Sequence, residues 1–516
     1  MEQRVKRFWA DPRVRWNAVA SLLTAILAYG YGMLNNLSNY DTSFNNGAIG
    51  EPAECSGRWT LGLLSRLANR IRMGFNLPYF NILVSLLLVW AASVAVCRCL
   101  RLSDRRAWGL IGVVTMSFPA VASMTFFSYT MVFYAVALLT IPLACCLVER
   151  HSGPGWLLLY AVLLALAVGV YQAYYPFAVM LAVLTVIRAC LDPDSTPKAV
   201  LRKGLLYVAA ILLSYGLYRL GLHLVLKLYH NTLIDYQGID QMGHIELGTL
   251  PGILKQMYYH FFLLPTHEYL SLNVSRITCL CILLLFGGSA GMLALRWREK
   301  NRWKRLELAG LLLIALPIAS NLIILMVPKG TVYTLMGMGL LSVFYLPILL
   351  WDSLSFPKPK LRRFFGLGLG AVLFLSSLLY VYQTNGCYRL LEWRNIQTEN
   401  YFSTLYARIK STPGYDVKDE VVFVGDVIHD ESYQNPWAKT PFRYGGVMQF
   451  DSLDPENNGF NEYSRNRFIF FRLGYSPRGI IDAERERYAS LIEGMGIYPS
   501  DGSICIVDGL VLVRFE

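Results

Sequence analysis

Tyr79–Val96 reads YFNILVSLLLVWAASVAV and runs directly into Cys97-Arg98-Cys99-Leu100-Arg101, with Arg105 and Arg106 close behind. Wound as a helix, an uncharged stretch of this length approaches the ~20 residues that cross the hydrocarbon core of a bilayer. The arginines crowding its far end mark the cytoplasmic side. Runs of the same kind lie on both sides of it: Val14–Met33, Trp108–Met124, Tyr129–Val148, Trp156–Tyr171, Tyr174–Ala189, Leu205–Leu222, Ile277–Leu295, Leu306–Val327, Val332–Leu350 and Phe365–Tyr382. With Tyr79–Val96 these make about 11 spans. The fifth and sixth are nearly contiguous and read as one hairpin with a tight turn at Tyr171–Tyr174.

Composition agrees. Hydrophobic residues are 55% and charged residues 16% of the 516, with a mean hydropathy of +0.40. That balance fits a polytopic membrane protein better than a large globular core. The expected fold is mainly α: a polytopic membrane helical bundle over 1–386, followed by a small extracytoplasmic α/β domain over 387–516.

Orientation follows from the basic residues. Arg4, Lys6, Arg7, Arg13 and Arg15 precede the first span. Later alternate connections carry Arg150, then Lys198, Arg202 and Lys203, then Arg296 to Arg305, then Lys358 to Arg363. With eleven spans all of these share one side, so the amino terminus is cytoplasmic and the carboxyl terminus is outside. The first span is too long for a signal-peptide core and reads as a retained anchor.

The net charge of +12 conceals two opposite parts: 33 Lys/Arg against 16 Asp/Glu in 1–386, but 14 against 19 in 387–516. The basic part is loop anchoring to anionic lipid, so no nucleic-acid partner is implied. Of the ten cysteines, only Cys55, Cys387 and Cys505 fall outside, with no metal spacing. A Cys387–Cys505 bridge is one option for them.

Three outer regions are long enough to carry function: loops at about 34–78 and 223–276, and the tail. In the tail, Leu391–Ile409 has helical apolar spacing, with Leu391, Ile396, Phe402, Leu405 and Ile409 near one face. Val421–Val424 then reads as a strand before Gly425-Asp426, and Ile504–Val507, Asp508-Gly509, Leu510–Val513 reads as a hairpin.

The first loop carries the chemistry. Asp41 stands beside the outer end of a membrane helix, where a carboxylate can act as general base or merely cap a turn. After Gly57-Arg58-Trp59 comes an amphipathic helix, with Leu63, Leu64, Leu67 and Ile71 on one face and Arg66, Asn69 and Arg70 on another. Arg58, Arg66, Arg70 and Arg72 lie outside, against the positive-inside bias. They are candidates for an anionic ligand, since guanidinium pairs with phosphate through two parallel hydrogen bonds; adhesion to lipid headgroups is the plainer reading.

Arg219, His223 and Lys227 recur every four residues at the outer end of the seventh span and share one helix face. They form a second candidate phosphate site or a snorkelling stripe. Lys329 is a lone outer cation. In the second loop, Asp235, Asp240, His244, Glu246, His260, His267 and Glu268 match no helical metal motif, and no metal site is assigned. Leu250 to Leu264 reads as a further interfacial helix. At the fifth–sixth turn, Gln172 has the chemistry to hydrogen-bond sugar hydroxyls while Tyr171 and Tyr175 stack, although an aromatic belt would also use tyrosines. No G-x-x-x-x-G-K-[ST] loop and no large cytoplasmic domain is present, so any donor must arrive already activated in the membrane.

Asp41, Ser56-Gly57-Arg58-Trp59, the Tyr171-Gln172 hairpin and the long second outer loop together resemble bacterial type II glucosyl transferases, serotype-converting enzymes of the GT-C superfamily, over roughly residues 15–385. The resemblance implies transfer of a sugar, glucose in that family, from a polyprenyl-phosphate carrier to a cell-surface glycan such as O-antigen, on the outer face of the bacterial plasma membrane. Asp41 would be the general base of an inverting displacement. Arg58, Arg66, Arg70, Arg219, His223, Lys227 and Lys329 are the candidate donor-phosphate ligands. Glu51, Glu54, Trp59, Gln172, Tyr171 and Tyr175 are the candidates on the acceptor or sugar side. Family members often carry neighbouring acids in this loop, whereas Asp41 is followed by Thr42; either Glu51 or Glu54 substitutes, or Asp41 works alone.

No cofactor is required, and a divalent cation is compatible with the chemistry. A donor synthase and a donor flippase are the implied protein partners. The competing readings are a surface-polysaccharide polymerase or ligase, and a lipid-linked glycan transporter or flippase. A transporter would show helix breaks or charges at mid-bilayer in paired repeats, and the sequence has no repeat.

Overall fold

A computed structural model describes the chain apart from residues 1, 36, 38, 40–41, 43–50, 75, 152, 235–246, 264–271, 298–302, 328–331, 357, 427–441, 443 and 445–461. It divides into two compact units. The first comprises Met1–Leu34, Gly47–Gly386 and Pro441–Gly445; the second comprises Asn35–Asn46, Cys387–Thr440 and Gly446–Glu516.

In the first unit, α1 (Glu2–Ala10) leads into α2 (Pro12–Leu34). Two short helices of the first loop follow, α3 (Glu51–Cys55) and α4 (Trp59–Arg70), then α5 (Pro78–Cys99), α6 (Arg105–Ser117), α7 (Pro119–Thr125), α8 (Met131–Arg150) and α9 (Pro154–Val170). A 3-10 turn at Gln172–Tyr174 joins α9 to α10 (Tyr175–Leu191). Beyond it come α11 (Pro197–Leu228), α12 (Leu250–Leu263), α13 (Leu272–Trp297), α14 (Trp303–Ser320), α15 (Leu322–Met326), a 3-10 stretch at Thr334–Leu341, α16 (Ser342–Ser353) and α17 (Pro359–Ser411), whose residues from Cys387 onward belong to the second unit.

Each of the eleven expected spans falls on helix, but among the described residues eight helices are long and apolar enough to cross a membrane, or nine if α6 and α7 count as one bent span. The differences have local causes. The third expected span breaks at Phe118, which is extended because Pro119 follows it, and the two halves diverge by 49°. The fifth, α9, is 17 residues long. The ninth falls on α14, which carries Lys304, Arg305 and Glu307 in its first turns and stops at Asn321 before α15. The last expected span and the tail helix are one continuous helix, the 53-residue α17, because nothing between Tyr382 and Leu391 breaks it.

Two asparagines inside the bundle find partners within it, as hydrocarbon favours. Asn17 Nδ2 donates to the Trp108 carbonyl at 2.8 Å and Ser93 Oγ donates to Asn17 Oδ1 at 3.1 Å, tying α2, α5 and α6 together. Asn321 Nδ2 donates to the Met257 carbonyl at 2.9 Å, fixing α12 against the α14–α15 break. The helix expected over 250–264 is α12, with Ile253, Met257 and Phe261 buried.

In the second unit a four-stranded sheet has the order β2-β1-β4-β3, with β1 (Glu420–Val424) parallel to both β2 (Arg478–Gly479) and β4 (Leu510–Arg514). β3 (Ile504–Val507) pairs antiparallel with β4 through Asp508-Gly509, both at positive φ (50° and 77°), as the expected hairpin requires. Strand alternation sorts the core into two layers. Phe423, Val511 and Val513 pack with Phe402, Leu405 and Ile409 of α17 and Phe468 of α18 (Glu462–Leu473). Val422 and Leu512 face the other way, toward Tyr488 and Met495 around α19 (Asp482–Arg487) and α20 (Ala489–Gly494). Ile396 does not join the expected apolar face of α17 and is 44% exposed. All ten cysteines are free, so Cys387 and Cys505 form no bridge: one sits inside a helix, the other on a strand.

Candidate active site

Ser56-Gly57-Arg58-Trp59 is a helix stop in which each residue has a separate task. Gly57 takes φ 76°, a left-handed backbone that glycine adopts at least cost. Its amide donates to the Glu54 carbonyl at 2.9 Å and the Arg58 amide donates to the Ala53 carbonyl at 2.8 Å, closing α3 and turning the chain into α4. The turn leaves the carbonyls of Ser56 and Gly57 pointing out, and distant segments take both. Gln172 Nε2 donates to Ser56 O at 2.9 Å, and the Tyr218 hydroxyl of α11 donates to Gly57 O at 3.0 Å. Gln172 and Tyr218 also touch each other at 3.3 Å.

Trp59 is buried in a slot between two glycines. A Cβ at Gly169 of α9 would come within 2.8 Å of its indole, and one at Gly221 of α11 within 2.5 Å. The first loop is thereby held against α9, α11 and the Gln172 turn. The sequence pattern left open which side of α4 meets the rest of the protein. Its protein-facing side is Trp59, Leu61, Gly62 and Ser65, while Leu67 is 55% exposed and Ile71, just beyond its end, 56%. The helix packs by Trp59, Leu61 and its small residues and leaves Leu67 toward the surroundings.

Arg58 projects into an aromatic group. Its Nη1 donates to the Tyr134 hydroxyl at 3.4 Å, and its guanidinium carbon lies 5.2 Å from the Tyr171 ring centroid. The Tyr134 and Tyr171 rings stack at 4.9 Å, and Tyr174 stands edge-on to both. A cation seated on ring faces is stabilised by their quadrupoles, more so when it is desolvated.

Glu54 and Arg66 find each other. The Glu54 side chain is fully buried and accepts two bonds from Arg66, at 2.8 and 3.0 Å, and a third from Asn231 Nδ2 at 3.2 Å. Arg66 also lies 4.0 Å from the Tyr229 ring centroid, and the Ile234 amide donates to the Cys55 carbonyl at 3.1 Å. The start of the second outer loop is thus laced to the first.

The structure therefore brings together Arg58, Trp59, Gln172 and Tyr171 in one group and Glu54 with Arg66 in the next. Tyr175, buried in α10, is 3.3 Å from Ser214 Oγ. Arg70 is exposed at the end of α4; Arg219, His223 and Lys227 are exposed along one face of α11. His260 lines a small apolar cavity of about 60 Å³ with Phe118, Phe344 and Tyr380. Asp41, Lys329, Asp235, Asp240, His244, Glu246, His267 and Glu268 lie outside the described residues, as does the side chain of Glu51. Among the described residues no three of His, Cys, Asp and Glu come together to hold a metal.

Sequence reasoning missed Tyr134, Tyr218, Tyr229 and Asn231. Tyr218 had a signal, because it precedes Arg219 on a helix whose cationic stripe was read. Tyr134 had only that of a hydroxyl within an apolar run.

Comparisons with known proteins bear on the same segments. No curated protein and no solved structure matches the chain. A family model described as glucosyl transferase GtrII matches residues 30–345, a range that takes in α3, α4, the Gln172 turn, α11 and every described residue of both clusters. The chain belongs to the glucosyl transferase GtrII family, and the chemistry of its class is glucosyl transfer.

Proposed function

We propose that this protein moves a glucosyl group from a polyprenyl-phosphate carrier to a surface glycan at the outer face of the plasma membrane, in a GT-C type site built on the first loop. The observation that carries the reading is the convergence on Arg58. The Ser56–Trp59 turn, the Tyr171–Tyr174 hairpin and Tyr218 of α11 are joined there by hydrogen bonds and ring contacts, although 116 residues separate Ser56 from Gln172 and 161 separate Gly57 from Tyr218. An arginine held on aromatic faces beside a membrane helix suits a lipid-borne phosphate, which must stay near the bilayer while its sugar is transferred.

In this mechanism the acceptor hydroxyl oxygen attacks the anomeric carbon as its proton passes to the Asp41 carboxylate. The bond from that carbon to the phosphate oxygen breaks, and the electron pair leaves with the lipid phosphate. A single displacement inverts the anomeric centre. Arg58 stabilises the charge that builds on the leaving phosphate. The Glu54–Arg66 pair is a positioning element that holds the loop, and the exposed Arg70, Arg219, His223 and Lys227 attract the anionic carrier as it diffuses in the membrane. Gln172 and the tyrosines of the hairpin flank the place where the sugar would sit.

The test is Asp41→Asn beside Arg58→Ala, each assayed for glycan glucosylation in membranes with matched protein levels. D41N is expected to lower transfer by roughly the 10²–10⁴-fold that general-base catalysis contributes. R58A is expected to lower use of the polyprenyl-phosphate donor without lowering abundance. Full transfer by D41N would remove Asp41 from the base role, and longer polymer in place of single glucosyl branches would reassign the protein to polymerisation.

A further inference from the structure

A crevice of about 1000 Å³ lies at the opposite end of the spans from the Arg58 cluster, between the first turns of α2, α6 and α17. It has a simple geometric origin. α2 packs along α6, and α2 meets α17 where Asn385 Nδ2 donates to the Leu27 carbonyl at 2.9 Å. Toward Trp16 on α2 and Gly366 on α17 the two helices leave the crevice between them, with Leu110, Leu369 and Gly370 among its lining. A gap of this size between membrane spans does not stand empty, because hydrocarbon interiors pack densely and apolar walls offer water few partners.

The mouth is cationic. Arg105, Arg106, Arg362 and Arg363 line it, with Asp104 as the one lining carboxylate among the described residues. Asp104 is engaged: it caps α6 through the Arg106 amide at 2.8 Å and lies 3.7 Å from Arg362. The nearby Asp352 is occupied by the Ser103 and Asp104 amides and the Ser103 hydroxyl. Two of the arginines lie beside tryptophans, Arg105 at 5.5 Å from the Trp16 ring and Arg362 at 5.4 Å from the Trp351 ring. Tryptophan and arginine together at a helix end mark the headgroup level of a bilayer.

We propose that this crevice binds one anionic glycerophospholipid from the leaflet facing the basic loops. Its phosphate lies among the four arginines, its ester region lies against Trp16 and Trp351, and one acyl chain runs down the glycine wall of α17. Length supports this occupant. From Trp16 to the closure at Leu27 is roughly 16 Å of helix at 1.5 Å per residue, about the thickness of one leaflet. An acyl chain fits that depth, whereas a long polyprenyl tail does not. The site is separate from the transfer chemistry and does not depend on that reading.

Native mass spectrometry of the purified full chain, titrated with phosphatidylglycerol or phosphatidylcholine, tests it. One phosphatidylglycerol is expected to stay bound, with about a tenfold preference over phosphatidylcholine. The double variant R362Q/R363Q is expected to lose that preference. A Cβ at Gly370 or at Gly368 meets no atom within 4 Å, but only Gly370 lines the crevice. G370L is therefore expected to expel both lipids with the arginines intact, and G368L to bind like wild type. Equal retention of the two lipids by wild type, an unchanged preference in R362Q/R363Q, matching behaviour of G370L and G368L, or displacement of phosphatidylglycerol by a polyprenyl phosphate would each overturn the proposal.

Discussion

Arg66 shows how far the role of a charged side chain depends on what it meets. Read alone, an arginine outside the membrane is a phosphate ligand. In the structure its fork closes on Glu54, whose carboxylate is fully buried and has Asn231 as its third donor. Removing one member of a buried pair leaves the other charged without compensation, which costs more than the pair contributes. Arg66→Met is therefore expected to destabilise the protein by about 3 kcal/mol, read as earlier loss of detergent-extracted fold on heating. The double variant E54Q/R66M should recover much of that loss, because no lone buried charge remains. Recovery of stability without recovery of transfer would show that the pair also positions the site. Gly57 and Trp59 were visible in the sequence only as a triplet; their tasks became clear once Gly169 and Gly221 were in place.

At the level of elements, the legible features were those written in local periodicity. The Asp508-Gly509 hairpin, the Gln172 turn and the helical tail all follow from short-range pattern. What sequence could not show was which face of α4 turns inward, because an interfacial helix has apolar residues on both its protein side and its lipid side. Nor could it show that α17 runs unbroken, since the loss of hydropathy after Tyr382 marks a change of environment and not a helix end. The C-terminal sheet also carries a pH dependence. Arg478 donates to both Glu484 oxygens at 2.6 Å and also reaches Glu420 at 2.9 Å, and its bonds to Glu484 hold that carboxyl below its usual range. A carboxylate with a depressed folded-state pKa adds stability at neutral pH, and this is lost as pH falls through the folded value. Hydrogen exchange at β1 and β2 in the intact protein, corrected for intrinsic rates, should therefore quicken under acid. E484Q should show the faster exchange already at pH 7, with a smaller further change on acidification.

Across the whole molecule, hydropathy located the membrane part, and among the described residues eight helices, or nine with the bent pair, are long and apolar enough to cross it. A run of apolar residues does not distinguish a straight span from one bent at Phe118-Pro119 or one interrupted at Asn321. The proposed orientation depends on an odd number of crossings. A reporter fused after Glu516 should be active only outside the cytoplasm, and one inserted between Leu100 and Ser103 only inside. Both reporters active on the same side would refute the arrangement.

The bonds that hold the first loop also set a schedule. Ser56 is 116 residues from its partner Gln172, Gly57 is 161 from Tyr218, and Glu54 is 177 from Asn231. A chain made from its amino end has completed that loop long before any of those partners exists. During this interval Trp59 has no slot and Glu54 lacks its third donor, so the ribosome must deliver α11 before the loop can set. Catalytic competence would then arrive as a late event in synthesis, and a nascent chain released before Pro197 would carry the Gly57-Arg58-Trp59 motif intact and still be inert.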